Sequence, residues 1–289
     1  RFKPDFIYTT TYYGGMAFAN LRRVYKLPSF NIVCMLDYVV SPFWEPSIGG
    51  VEILTMAHED NRAKLLEKGF DNKNLLMTGI PVSDKFSKEI DKTKAREMLG
   101  IDKDLFTVFI FYGGGHWQGS YGILKALLKG VKKKIQIIIC NGHNEKTKKK
   151  IDKEMSKYPE NFKIVNYGFV NNVDVIMSAS DVMIGKGGGL STTEAVNKGL
   201  PLIATYKLPG QEYYNIQFLK EKGVALSFGN YKELVRHINY LYDSRDVLTR
   251  MSLGMKEMKT TAIDTIAELI MSQPDADYDG INTSLDYGK

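Results

Sequence analysis

The sequence has few cysteines and no long apolar run. Cys34 and Cys140 are its two cysteines, and each lies in an apolar stretch typical of a strand, so we expect no disulfide framework and a reducing compartment. Its longest apolar stretches fall far short of the roughly 20 residues that a spanning helix needs, and no signal-peptide pattern opens it. We therefore expect a folded cytoplasmic protein without a membrane span.

Motifs that define several other functions are missing as well. No Walker motif, Gly-x-x-x-x-Gly-Lys followed by Ser or Thr, occurs, so a Walker ATPase is not expected. The 4 histidines have no paired spacing, so no zinc site is predicted. The net charge of +6 would suit nucleic acid, an anionic membrane surface or an anionic small molecule. The basic runs at 132–134 and 146–150 lack interleaved aromatic residues and indicate solvated faces, so we expect no nucleic-acid partner.

Apolar β-branched runs alternate with amphipathic stretches from end to end, which favours an α/β fold with parallel sheets. The pattern breaks near residue 84 and divides the chain into two halves. The predicted strands lie near residues 5–10, 30–36, 51–56 and 74–78, and then near 106–112, 135–140, 162–166, 181–184, 201–205 and 224–227. Predicted helices near 230–242, 245–253 and 255–272 follow, and the polar tail 273–289 is expected to be flexible.

A glycine-rich loop, Gly113–Gly115, follows the first strand of the second half and precedes a helix. Glycines allow the backbone to approach a phosphate, and the amides and dipole of a helix N-terminus favour an anion. This loop therefore predicts an anion site at the carboxyl edge of the sheet. A tight turn without a ligand is the alternative, because glycine-rich loops are weak motifs when they stand alone.

A second and more specific loop, Gly185–Gly189, follows the strand near 181–184 and opens a helix. Glu194 lies one turn inside that helix, where its carboxylate could accept hydrogen bonds from a ribose diol. Two anion loops at one sheet edge suit a diphosphate. The alternative is that Ser191 or Thr192 caps the helix and that Glu194 completes a capping box with Ser191.

Amide and carboxylate side chains follow the next strand, near 201–205. Gln211, Glu212 and Asn215 come directly after a Pro-Gly turn, and such groups suit the hydroxyls of a sugar. An exposed helix start after a turn would explain this segment if it stood alone. Its position beside the second glycine loop favours a role in ligand binding.

The order of these motifs resembles that of a known family. They are the first glycine loop, Gly168-Phe169-Val170, residues 186–194 (Lys-Gly-Gly-Gly-Leu-Ser-Thr-Thr-Glu), and residues 209–212 (Pro-Gly-Gln-Glu) with Asn215. In this order they are similar to the GT-B family of processive diacylglycerol glucosyltransferases and monogalactosyldiacylglycerol synthases. The bacterial N-acetylglucosaminyltransferase that makes the peptidoglycan lipid precursor is a more distant relative. The resemblance covers residues 4–270 and implies two Rossmann-like domains whose parallel sheets face each other across a cleft.

The resemblance also implies how the residues bind a UDP-sugar donor. Phe169 would meet the uracil through its backbone, and Glu194 would hold the ribose. The diphosphate would be held by the two loops, at Gly114, Gly115, Gly188, Gly189, Leu190 and Ser191. The donor sugar would contact Gln211, Glu212 and Asn215.

Residues 1–84 would form an acceptor-binding domain that is incomplete in this chain, and 85–272 the UDP-sugar-binding domain with its C-terminal helices. In the family, a glycine-rich, histidine-bearing loop near the start of the first domain supplies or positions the catalytic base, and that segment is expected to be missing here. Asp37 follows an apolar strand and is a candidate for the base or its orienter, although such an Asp can simply end a strand or cap a turn. Ser41 and Pro46 replace histidines of some relatives, which leaves the acceptor open.

The implied activity is inverting transfer of a hexose from a UDP-sugar to a membrane lipid such as diacylglycerol, on the inner face of the cell membrane. Loop amides and helix N-termini would stabilise the leaving UDP, and the acid pair Asp102 and Asp104 lies in the linker, so we expect no metal and no cofactor. Basic and aromatic residues of the first half, such as Tyr13 and Arg23, suit an anionic membrane surface.

Three alternatives stay open at this point. The first is transfer of N-acetylglucosamine from its UDP-sugar to a peptidoglycan or other polyprenyl lipid precursor. The second is a UDP-sugar 2-epimerase, which shares the double-Rossmann architecture. The third is a non-catalytic UDP-sugar-binding fragment, because an incomplete first domain leaves the activity of this chain by itself open.

Overall fold

The computed structural model describes residues 3–41, 50–113, 119–155, 162–205 and 210–279. The chain divides into two compact units. The first contains the described residues up to Pro81 together with those from Thr260 onward, and the second spans Val82–Lys259.

The first unit is built on a parallel sheet of four strands in the order β1-β2-β3-β4. The strands are β1 (Phe6–Thr9), β2 (Phe30–Cys34), β3 (Ile53–Met56) and β4 (Leu75–Met77). The helices between them are α1 (Tyr12–Tyr25) and α2 (Asn61–Glu67). The buried side chains of β2 and β3 form a core with Leu65 of α2, as a sheet covered by helices requires.

Helix α1 lies close to β2 because a glycine faces the sheet. A Cβ atom added at Gly15 would lie 2.9 Å from a methyl group of Val33, so no larger residue fits without a shift. The helix begins at the N-cap Thr11, whose hydroxyl accepts a hydrogen bond from the amide of Gly14 at 3.2 Å. Small residues and a cap thus fix the start of α1 beside the sheet.

The second unit contains a six-stranded parallel sheet in the order β10-β9-β8-β5-β6-β7. Its strands are β5 (Phe106–Phe111), β6 (Ile135–Cys140), β7 (Phe162–Tyr167), β8 (Val182–Gly185), β9 (Leu202–Thr205) and β10 (Ala225–Phe228). The chain first adds strands on one side of β5 and then returns to add them on the other, starting with β8. This doubly wound order places a topological switch point between β5 and β8, where open α/β sheets bind their ligands.

Helices cover both faces of this sheet. They are α3 (Lys92–Met98), α4 (Ser120–Gly130), α5 (Glu145–Met155), α6 (Val173–Ala179), α7 (Gly189–Asn197), α8 (Gln211–Glu221), α9 (Tyr231–Asp243) and α10 (Arg245–Glu257). Leu124 and Leu127 of α4 and Ile238 of α9 pack on the fully buried strand residues of one face. Each such side chain stabilises the fold by about 1.5–3 kcal/mol relative to an exposed one. The predicted α/β fold with two parallel sheets is confirmed.

The last helix, α11 (Ala262–Met271), groups with the first unit, whereas the sequence assigned residues 85–272 to the second domain. The segment after it also contacts the first unit, where flexibility was expected from residue 273. The buried hydroxyl of Tyr278 is 2.5 Å from that of Ser29 and donates to the carbonyl of Pro4 at 2.8 Å. The sequence missed this contact because one buried aromatic residue is hidden among acidic and small residues. Residues 280–289 lie outside the described part of the chain.

Helix α10 is longer than predicted. The sequence suggested a break near residue 254, but the helix continues to Glu257. A Cβ atom added at Gly254 would lie 2.8 Å from a methyl group of Val224, so the glycine serves close packing rather than a turn.

Cys34 and Cys140 are buried free thiols in strands β2 and β6, as predicted. Burial raises the pKa of Cys140 to about 12. In the described part of the chain, no helix is both long and apolar enough to cross a bilayer.

Candidate functional site

Two glycine-bearing loops leave the sheet of the second unit at the switch point between β5 and β8. Gly113, with φ +76°, follows β5, and Gly187, with φ +75°, follows β8. The two strands approach so closely that a Cβ atom added at Gly185 would lie 3.0 Å from the carbonyl oxygen of Phe111. The structure therefore brings both predicted loops to one edge of the sheet, although Gly114 and Gly115 themselves lie outside the described residues.

The loop after β8 is held in place by α8. The side-chain amide of Asn215 donates to the carbonyl of Gly187 at 3.2 Å, and Asn215 is fully buried. A Cβ atom added at Gly187 would lie 2.5 Å from Ile216. Glycine is thus required here both by its positive φ and by the close contact with α8. Asn215 supports the loop, and its predicted contact with a donor sugar stays a prediction.

The first turn of α7 has no side-chain cap. Its N-cap is Gly188, and the hydroxyl of Ser191 donates to the Gly188 carbonyl at 3.3 Å rather than accepting from an amide. The capping box considered for Ser191 and Glu194 is therefore wrong, because neither residue stands at the N-cap. The amides of the first helical turn have no partner within their own helix, so they can receive an anion.

The carboxylate of Glu194 is half-buried and accepts no hydrogen bond from the described residues. Burial raises its pKa to about 7, and the nearby positive charge of Lys85 opposes that rise. At neutral pH this carboxyl group is therefore close to the midpoint of its titration. A ligand that offers hydroxyl donors would favour the ionised form.

Lys85 is a site residue that sequence reasoning missed. Its ammonium group donates to the carbonyl of Asn171 at 2.6 Å and lies 3.8 Å from the carboxylate of Asp174. It thereby links the segment after Pro81 to the loop that follows Phe169. No local pattern marks it, because it lies in a polar stretch far in sequence from both partners.

Lys186 and Glu212 form an ion pair of 3.2 Å across the second loop. The side chain of Lys186 lies over Gly188, since a Cβ atom added there would be 2.9 Å from the Lys186 Cε. Both side chains are partly exposed, so the pair contributes little to stability and serves to position the carboxylate beside the loop. Gln211, the first residue of α8, is exposed next to it.

Phe169 lies beyond the carboxyl end of β7 and is 58% exposed. Its ring stacks on that of His143, with 4.6 Å between centroids and 12° between the planes. The two rings form a flat surface at the ends of β6 and β7, on the same edge of the sheet as the glycine loops. A planar base could stack on such a surface. The contact between uracil and the backbone of Phe169, which the resemblance implies, stays a prediction.

The remaining predicted residues are placed as follows. Leu190 is exposed, and Gly188 and Ser191 are partly exposed, at the start of α7 beside the buried Gly189. Asp37 belongs to the first unit and is half-buried after β2, and its catalytic role stays a prediction. The described ranges contain no group of three or more His, Cys, Asp or Glu side chains suited to a metal ion.

Comparison with known proteins gives concordant results. A model of the glycosyltransferase family 28 C-terminal domain matches residues 113–269, more than half of the chain. A processive diacylglycerol beta-glucosyltransferase of Bacillus licheniformis is 27% identical over 257 residues, which are 87% of this chain and 63% of that protein. The chain therefore spans less than two thirds of the length of this relative.

Solved structures share the fold at low identity. MurG of Acinetobacter baumannii superposes with a TM-score of 0.72 at 15% identity, covering 93% of this chain and 74% of MurG. The UDP-GlcNAc 2-epimerase of Neisseria meningitidis, bound to UDP-GlcNAc, gives 0.67 at 16% identity, covering 94% and 77%. These similarities confirm the predicted GT-B fold. With the family match over residues that include both the second glycine loop and Glu194, they lead to one conclusion: the chain belongs to glycosyltransferase family 28.

Proposed function

We propose that this chain carries the donor-binding part of an inverting, metal-independent transferase that moves a hexose from a UDP-sugar to a membrane lipid such as diacylglycerol. The family and the named activity of its relatives support this proposal. The observation that carries it is the uncapped first turn of α7 beside Glu194 at the switch point. This arrangement offers amide donors to a diphosphate and a carboxylate to a ribose.

The geometry suggests how the donor is divided over the site. The diphosphate lies on the amides of residues 189–191, and the ribose hydroxyls donate to Glu194, one turn further along α7. Glu212 and Gln211 stand across the second loop and accept from or donate to the hydroxyls of the hexose. The uracil lies at the backbone beside Phe169. A membrane lipid, on an anionic membrane surface, supplies the second substrate.

The transfer itself is a direct displacement. The acceptor hydroxyl attacks the anomeric carbon opposite the UDP, the carbon–oxygen bond to the β-phosphate breaks with its electron pair leaving on UDP, and a base takes the acceptor proton. Negative charge grows on the β-phosphate as the bond breaks. Oriented backbone amides stabilise such charge without reorganising, so this chain's own loops supply what a metal supplies elsewhere.

The first test is calorimetric titration of the purified chain with UDP, UDP-glucose, UDP-galactose and UDP-N-acetylglucosamine in EDTA. Glu194→Ala is compared with Glu221→Ala, which removes an exposed carboxylate at the far end of α8. We expect saturable binding that Glu194→Ala weakens and Glu221→Ala leaves unchanged. No binding of any uridine nucleotide to the folded chain would refute the donor site.

A second test concerns the reaction. The chain is incubated with UDP-glucose and diacylglycerol vesicles, with and without EDTA, and the glycolipid product and its anomeric configuration are read by NMR. A β-glucoside formed from the α-linked donor supports inversion, and loss of product in EDTA would contradict metal independence.

An epimerase is the second candidate, because a UDP-GlcNAc 2-epimerase shares the fold. Conversion of UDP-N-acetylglucosamine to its 2-epimer without any acceptor would favour that function. Transfer of N-acetylglucosamine to a polyprenyl diphosphate lipid would instead favour the cell-wall precursor reaction.

A further inference from the structure

A tight turn after β6 presents His143 at the carboxyl edge of the second unit's sheet. The amide of Asn144 donates to the carbonyl of Asn141 at 3.1 Å, which closes the turn, and Gly142 adopts φ +55° within it. The buried Asn141 is itself fixed, because its side-chain amide donates to the carbonyl of Tyr167 at 3.0 Å. His143 therefore stands on a backbone with little freedom, although its own side chain is exposed.

The segment 168–172, which follows β7, lies beside this turn and is less well supported. It is neither helix nor strand, and Phe169 and Asn171 within it are exposed. A Cβ atom added at Gly168 would lie 3.6 Å from the carbonyl oxygen of Gly142, so the two loops are in contact at the start of the segment. Near its other end, the ammonium group of Lys85 donates to the carbonyl of Asn171 at 2.6 Å.

The stack of His143 on Phe169 joins the two loops between these points. The ring centroids are 4.6 Å apart and the planes differ by 12°. Phe169 is 58% exposed, so burial alone does not fix its orientation, and the imidazole provides a flat surface against which the phenyl ring is placed. An aromatic pair of this kind changes an equilibrium constant roughly two- to tenfold. The rigid turn thus orders a segment that has few contacts of its own.

We propose that His143 is a positioning residue for the nucleobase of the donor. It holds Phe169, and through it the backbone of residues 168–170, in the conformation that receives the base. This inference rests on the proposed donor site and extends it to a residue outside the motifs that carry the family resemblance. A loop that is only partly in its binding conformation lowers the affinity by that fraction. The stack raises the fraction before the ligand arrives, so His143 acts by preorganisation.

The first test is calorimetric titration of the whole chain with UDP-glucose. His143→Ala should weaken binding roughly two- to tenfold, because it removes the stack and lets the segment leave its binding conformation. His143→Phe should restore the affinity, since a phenyl ring keeps a stacking surface on the same turn. Lys146→Ala is the matched control, as Lys146 is an exposed residue of α5 close to the turn, and it should leave the affinity unchanged. Melting temperatures show whether each variant is folded.

A double-mutant cycle tests whether His143 acts through Phe169. Phe169→Leu removes the ring on which the imidazole stacks, so His143→Ala should have no further effect on the affinity in that background. NMR gives an independent readout of the stack. The chain has 4 histidines, few enough for their imidazole signals to be resolved. The signal that His143→Ala removes should lie upfield because of the ring current of Phe169, and it should move downfield in Phe169→Leu.

The outcomes separate this inference from the donor site itself. UDP-glucose binding that His143→Ala leaves unchanged, or effects of the two substitutions that simply add, would overturn the role of His143 while the donor site stands. An imidazole signal that Phe169→Leu does not move would overturn it as well, because the rings would then not be stacked in solution. If no uridine nucleotide binds the folded unmodified chain, the donor site and this inference both fail.

Discussion

The raised pKa of Glu194 predicts how donor affinity depends on pH. Ribose hydroxyls donate hydrogen bonds to the ionised carboxylate, whereas the protonated carboxyl group offers a weaker acceptor. With a pKa of about 7, the unliganded protein must lose a proton from Glu194 when the donor binds in acidic solution. Donor affinity is therefore expected to rise with pH through neutrality and then to level off.

The magnitude follows from the titration. A group with this pKa is about one-tenth ionised near pH 6 and about nine-tenths ionised near pH 8, so affinity should rise roughly tenfold, or about 1.4 kcal/mol, over that interval. UDP-glucose is the suitable ligand, because both of its phosphates are esterified and do not titrate there. UDP itself would add the titration of its terminal phosphate.

The assay is calorimetry of UDP-glucose binding at several pH values, together with the protons released in buffers of different ionisation enthalpy. Glu194→Gln should bind more weakly at about pH 8 and show no pH dependence, and Glu221→Gln should keep the slope of the unmodified chain. A slope that survives in Glu194→Gln, or a flat profile in the unmodified chain, would refute the assignment of Glu194 to the ribose.

Four further results are expected. Gly187→Ala should destabilise the second unit by about 2–4 kcal/mol in urea unfolding, because it adds a clash with α8 to the strain of a positive φ. Gly223→Ala is the control: Gly223 has φ +71° and no neighbour within 4 Å, so this variant should cost only the strain, about 1 kcal/mol. Equal losses in the two variants would show that the clash with α8 is relieved without cost. Lys85→Met should shift the midpoint of the affinity profile to higher pH, since it removes the charge that opposes protonation of Glu194, and an unmoved midpoint would contradict that coupling. Glu194→Gln should raise the melting temperature of the ligand-free chain at about pH 8 but not at about pH 4. The pKa of Glu194 is raised in the folded state, so the folded protein loses stability as the pH rises through that pKa and the carboxyl group ionises. An equal change of melting temperature at both pH values would contradict this linkage. Tyr278→Phe should lower the free energy of unfolding of the first unit by about 1–2 kcal/mol, since it removes the partner of the buried Ser29 hydroxyl and the donor to the half-buried carbonyl of Pro4. An unchanged value would mean that these contacts carry no stability.

The strands were predictable because burial on both faces leaves a continuous apolar signal. All six residues of β6 are buried, and the sequence Ile-Gln-Ile-Ile-Ile-Cys reads as one run. Right-handed crossovers restrict consecutive βα units to a few arrangements, and the observed doubly wound order is one of them. Gly254 misled the prediction because local propensity cannot distinguish a helix break from a close helix–strand contact.

The candidate site was predictable where one segment carries it. Glycines after a strand and before a helix indicate a candidate anion site within one segment, and Glu194 lies one helical turn further along the same segment. Lys85 was missed because its partner Asn171 is 86 residues away and no pattern spans that distance. The support of Gly187 by Asn215 depends likewise on the packing of α8 on the loop, which only the tertiary structure determines.

The return of the C-terminal segment to the first unit has a consequence for the order of synthesis. The ribosome releases the whole of Val82–Lys259 before it releases Thr260–Tyr278, so the second unit can fold while the first still lacks its last helix. The carboxylate of Asp5 accepts a hydrogen bond from the amide of Ala276 at 3.0 Å. This bond can form only after Ala276, one of the last described residues, has been synthesised. The first unit is therefore synthesised first but receives its last helix only at the end. A premature stop after α10 would leave the first unit without α11, although the second unit with its glycine loops would already be synthesised.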